Sequence, residues 1–143
     1  MNKKEFAVLA VLVLVVAVAV PLLAQTVRLT ANIPFEFMVG KMTLPAGEYR
    51  INTSASLASV QIQSVEGNIS ALSLANRVDV KGQDPESATK LVFNRYGDKY
   101  FLSEASNGYD SVGVRLPTSH EEGELIRSAA VRTTETVTLL ARR

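Results

Sequence analysis

The stretch LVFNRYGDKYFLSE, Leu91 to Glu104, consists of two alternating runs separated by Gly97 and Asp98. A two-residue Gly-Asp connection between such runs marks a β-hairpin closed by a turn of the primed type, whose twist matches that of the strands. The turn sets the register: Tyr96 opposite Lys99, Arg95 opposite Tyr100, Asn94 opposite Phe101 and Phe93 opposite Leu102. One face then carries Leu91, Phe93, Arg95, Tyr100 and Leu102, and the other Val92, Asn94, Tyr96, Phe101 and Ser103. Neither face is purely polar. The hairpin therefore belongs in a barrel wall or a sandwich, with Phe93 and Leu102 as a cross-strand core pair.

Upstream of the hairpin the same short, period-two grammar recurs. In VRLTANIPFEFMVG, Phe35, Phe37 and Val39 share a face opposed to Glu36 and Met38, and Pro34 separates two strands or marks a sheet edge. LPAGEYRI supplies a turn followed by Tyr49 and Ile51 on one face. LASVQIQS points Val60 and Ile62 inward and Gln61 and Gln63 outward. Glu66-Gly67-Asn68 then turns the chain into a strand on which Leu72 and Leu74 share a side. VDVKGQDPESATK reads as a long polar surface loop or the rim of a site.

Downstream of the hairpin the period changes. PTSHEEGELIRSAAVR offers Thr118 or Ser119 as an N-cap, acids in the first turn, and Leu125, Ile126 and Ala129 at helical spacing, weakened by Gly123. TETVTLLA returns to β-branched residues as a closing strand, with Val137 and Leu139 on one face and Arg142-Arg143 as a solvated tail. The fold expected is mainly β: a small antiparallel β-barrel or β-sandwich with one short helix in the C-terminal half.

The start of the chain has a different character. Lys3 and Lys4 precede the apolar run Phe6 to Ala24, an export signal. Cleavage is expected after Ala24, with the A-x-A at Ala17 to Ala19 as the other site. Uncut, the run would serve as a membrane anchor, since a bilayer span needs about 20 residues. This divides the chain into a signal peptide or anchor over 1–24 and a single β-rich domain over 25–143, long enough to bury a core. The expected compartment is the periplasm, the outer envelope or the extracellular space.

Composition narrows the chemistry. The chain has 15 basic and 14 acidic residues; with Lys3, Lys4 and Glu5 set aside the two signs balance, which favours neither a nucleic-acid partner nor a polybasic membrane surface. Membrane contact is expected only through an uncleaved leader. There is no cysteine, so thiolate nucleophiles, thiolate metal sites and disulfides are excluded. His120, the single histidine, lies beside Glu121 and Glu122 in the first helical turn, where neighbours cannot line up as nucleophile, base and orienter. The loop acids Asp79, Asp84 and Glu86 lack the spacing of a calcium loop. No cofactor or metal is expected.

Glu36, Glu48, Asp79, Glu104 and Asp110 could in principle meet as a glycosidase-like acid pair. With no tryptophan to stack a sugar, this paired-carboxylate hydrolase is the least favoured of three functions. The first is a non-catalytic binding module for a small molecule, lipid or glycan, with Arg95 and Tyr100 as its ligand-binding residues. The second is a structural or protein-interaction component of the cell envelope, self-associating through sheet edges. An apolar cavity open at one end would support the first, and a filled interior with an exposed apolar edge the second.

Three segments, ANIPFEFMVGKMTLPAGEYRI, KLVFNRYGDKYFLSE and GVRLPTSHEEGEL, together resemble a group of small exported β-rich proteins abundant in soil bacteria of the Acidobacteria type. The resemblance implies export and a shared β fold, and brings no catalytic residue with it. Leu44 to Ile51 alone is similar to the turn and strand of transthyretin-like and collagen-adhesin B-type sandwich modules, which implies a structural Tyr49 packed beside its turn.

Overall fold

The computed structural model describes residues 2–3, 27–54, 57–79, 89–107, 112–128 and 134–142. The apolar leader with both cleavage sites, residues 80–88 of the polar loop, Asp110 and Ala129 lie outside the described residues.

Among the described residues eleven strands form two sheets. The first runs β1 (Val27–Ile33), β4 (Gly47–Ser54), β5 (Ser59–Ser64), β6 (Ser70–Leu74), all antiparallel. The second runs β11 (Thr134–Leu140), β8 (Thr89–Tyr96), β9 (Lys99–Asn107), β10 (Val112–Arg115), β7 (Asn76–Asp79). It is extended by the short hairpin β2 (Phe37–Val39) and β3 (Met42–Leu44), where Met38 pairs parallel with Phe101 of β9. Pro34 separates β1 from β2, consistent with its missing N–H. The helix α1 (His120–Arg127) follows β10.

Of the two architectures expected, the barrel is corrected to a sandwich. Barrel closure needs a hydrogen-bonded ladder around the whole circumference. Here, among the described residues, the two sheets meet at one corner only through Thr30 and Arg142, whose main chains exchange bonds of 2.6 and 2.8 Å. At another corner the chain itself crosses between sheets through the single residue Ala75. Arg142 is accordingly not a free tail, because its backbone is part of this junction.

Alternation fills the space between the sheets. Leu29, Ile33, Tyr49, Ile51, Val60 and Ile62 enter from the first sheet, and Phe37, Leu91, Phe93, Leu102, Ala105 and Val114 from the second. Each large apolar side chain buried this way contributes about 1.5–3 kcal/mol. The rings are ordered: Phe37 meets Tyr49 and Phe93 edge-on at 5.3 and 5.6 Å. The Tyr49 hydroxyl donates to the Pro45 carbonyl at 2.6 Å, so its polar tip is satisfied within its own turn. Burial raises the pKa of Tyr49 above the ordinary 10.0.

The β8–β9 hairpin has the register its turn dictates, from Tyr96↔Lys99 to Phe93↔Leu102. Gly97 has φ +61°, and Ala58 is the one non-glycine with positive φ among the described residues, so Asp98 lacks it and the turn is of type II′. Beyond Phe93 a bulge slips the ladder, pairing Val92 with Glu104 and Leu91 with Ala105. Strict alternation would send Leu102 and Ala105 to opposite faces. The extra residue brings both into the core, and the Ser103 carbonyl accepts the Leu116 N–H at 2.8 Å, leading the chain toward α1.

Candidate functional site

The structure brings Arg95 and Tyr100 together as expected. Their strands are paired at that position, and the Arg95 guanidinium lies 5.4 Å from the centre of the Tyr100 ring. Phe35 is stacked on Tyr100 at 3.9 Å and meets Phe93 edge-on, which ties the pair to the core. Two of the arginine's donors are engaged: Nε donates to the Gly97 carbonyl at 2.8 Å, and Nη1 to Glu135 Oε2 on β11 at 3.1 Å. At this exposed position the ion pair contributes about 0.2–1 kcal/mol. Arg95 thus fastens the hairpin tip to the neighbouring strand.

Tyr100 also lines a cavity of about 120 Å³ with Glu36, Met38, Asp98, Lys99 and Glu121, while Arg95 does not. Ligand pockets usually occupy about 300–1,000 Å³, so this space suits a few waters. Lys99 is hydrogen-bonded to Glu121 across it. A second cleft, of about 310 Å³, lies between the Pro45–Gly47 turn and the β5–β6 turn, with Tyr49 among its lining residues and Glu48 and Glu66 contributing carboxylates.

Neither cleft contains two of the five acids considered for hydrolysis. Glu36 lines the first and Glu48 the second, while Glu104 is paired with Arg115 at 3.1 Å. Among the described residues no group of three or more potential ligands is placed to hold a metal ion. His120 is exposed, with Glu124 at 3.8 Å.

The outer face of the β8–β9 hairpin holds a second apolar cluster of Met38, Tyr96 and Phe101, against which Leu125 of α1 packs. Ser119 caps the helix by accepting the Glu122 N–H at 3.1 Å. Glu122 itself is only 6 % exposed. Its Oε1 accepts from Asn94 Nδ2 at 2.9 Å and from the Tyr96 hydroxyl at 3.0 Å. Sequence reasoning missed this carboxylate. The Ser119-x-x-Glu122 spacing of a capping box was the available signal, but the carboxylate turns to the hairpin. Of the apolar helix positions expected to pack, Leu125 does so, whereas Ile126 is 55 % exposed, about 100° further round the helix.

β6 ends the first sheet on the side opposite β1, and its outward Leu72 and Leu74 are 71 % and 75 % exposed, with Leu57 of the β4–β5 turn at 73 %. Their inward neighbour Ala71 is buried, because it pairs with Ile62 and so shares the core face. Backbone direction follows from two bonds to β5 and the turn before it, Ser64 N–H to the Ile69 carbonyl at 2.8 Å and Ala75 N–H to the Ala58 carbonyl at 2.7 Å. By alternation, the N–H and C=O of Ser70, Leu72 and Leu74 point away from β5, toward the open side of the sheet. Among the described residues no strand pairs with β6 there.

Comparison with known proteins finds no matching family model, no similar curated protein and no matching solved structure.

Proposed function

We propose that this chain is an exported, non-catalytic interaction protein of the cell envelope that engages protein through the β6 edge of its four-stranded sheet. One observation carries the reading: three large leucines stand open beside a terminal strand whose backbone groups point outward. Native sheets normally blunt such edges with charge, proline or a covering element. β6 has neither charge nor proline, and its segment Asn68 to Asn76 carries no ionisable side chain. An edge of this kind binds extended backbone by adding a strand. Export rests on the basic-then-apolar leader over residues 1–24.

The test is position-specific photo-cross-linking in the exported full chain, with the reactive side chain at 72, 61 or 100. Adducts to protein from position 72 alone are the expected result. Adducts absent at 72, or equal at all three positions, would remove the edge from the proposal.

A second reading, a binding module for a small molecule, lipid or glycan at Arg95 and Tyr100, has one supporting observation, the small cavity that Tyr100 lines. A small molecule retained by the wild-type chain in native mass spectrometry and lost on Arg95→Ala would favour it over the edge.

A further inference from the structure

We infer that the occupant of the β6 edge is a second copy of this chain, paired antiparallel across a two-fold axis at Leu72. This rests on reading β6 as an interaction edge and adds its partner and geometry. The backbone groups on the open side belong to Ser70, Leu72 and Leu74, a set symmetric about Leu72. A two-fold at that residue pairs Leu72 with Leu72 of the second copy, and Ser70 with Leu74 in both directions. The four exposed leucines then lie together on the outer face, and the two four-stranded sheets become one of eight.

Charge supports this occupant. An isologous contact sets the same surface against itself, so any charge near the axis would face its own like. The strand is free of charge for its whole length, and the flanks carry opposite signs, Glu66 before it and Arg77 after it. Antiparallel pairing brings the Glu66 end of one copy to the Arg77 end of the other at both extremities. A parallel or shifted pairing would set like beside like or leave leucines uncovered.

The absence of cysteine makes a clean test available, because an introduced thiol has only its own mate to oxidise with. In a hydrogen-bonded antiparallel pair the facing Cα atoms are about 5.5 Å apart, inside the roughly 4.4–6.8 Å window of a disulfide. Gln61, opposite Leu72 on β5, would be three strand spacings, about 14 Å, from its mate. The full chain carrying Leu72→Cys is therefore expected to form a covalent dimer under mild oxidation, while Gln61→Cys forms no covalent dimer. The unmodified chain should sediment at twice the monomer mass, and Leu72→Lys at the monomer mass with an unchanged circular dichroism spectrum.

Oxidation of Leu72→Cys no faster than that of Gln61→Cys would overturn the two-fold. If photo-adducts to another protein still formed at position 72, the second copy alone would fall. If those adducts were absent too, the edge reading would fall with it.

Discussion

Two hairpins of this molecule are built from the same alternation and end in opposite situations. β8–β9 and β5–β6 each present apolar side chains on the face turned away from the core. On β8–β9 that face, Tyr96 and Phe101 together with Met38 of β2, is roofed by α1 through Leu125 and Glu122. On β5–β6 the corresponding leucines have no roof among the described residues. A sheet with two apolar faces needs two layers of cover, and the described residues supply the second layer on one side only. The proposed interface rests on this contrast rather than on any charged residue.

The comparison can be tested by removing side chains from each situation. Phe93→Ala, which opens the core shared by both sheets, should have the largest effect, about 3–5 kcal/mol in urea unfolding. A loss below about 1 kcal/mol would show that this ring is not part of a packed interior. Glu122→Ala removes the acceptor of Tyr96 and Asn94 under the roof and is expected to destabilise by about 1–3 kcal/mol. Glu122→Gln keeps an acceptor and should lose less, so equal losses for the two would mean that the polar contact does not hold α1.

Tyr49 gives a smaller, pH-dependent effect. Its pKa is raised by burial in the fold, so the folded state keeps its proton at a pH where the unfolded chain begins to lose it, above the ordinary 10.0. The stability this group contributes is complete below that pH and declines as the pH rises through its folded value. Urea midpoints measured from neutral pH to above 10 should therefore fall less steeply in Tyr49→Phe than in wild type. Parallel curves would rule out the tyrosine as a source of the slope. At neutral pH the lost bond to Pro45 should lower stability by about 0.5–1.5 kcal/mol. Leu72→Ala, outside any roof, should change the stability of the isolated monomer by no more than about 0.5 kcal/mol. A loss of 2 kcal/mol or more, the scale of buried leucines (about 2–5 kcal/mol), would mean that Leu72 is covered within its own chain.

Local grammar made much of this fold legible. Gly97-Asp98 fixed the hairpin register, Pro34 marked a break between strands or a sheet edge, Thr118 or Ser119 a helix start, and Tyr49 a face shared with Ile51. The missing parts depend on distant residues or on choices to which alternation is blind. Leu72 and Leu74 alternate with Ala71 and Ser73, and only the register against Val60 and Ile62 decides which pair faces the core. The bulge between Val92 and Phe93, with Ser103 as the extra residue on β9, has no residue signature of its own. Sandwich and barrel share one pattern, and they were separated by the lone Thr30–Arg142 junction. At the candidate site, Arg95 over Tyr100 followed from the turn, but the engagement of Arg95 by Glu135 depends on a strand far along the chain.

The Thr30–Arg142 junction also imposes an order in time. β4, β5 and β6 pair with their neighbours in sequence, whereas β2 must wait for β9 and Thr30 for the residues after β11. Pairings so far apart along the chain form late, after loop closure over most of its length. A chain emerging from a ribosome or a translocation channel would thus complete its β6 edge before the second sheet exists. Pulsed hydrogen exchange during refolding should protect the amides of β4 and β5 ahead of that of Thr30. The leucine edge would then be on offer from the earliest stage of folding, when assembly and misassembly compete for the same strand.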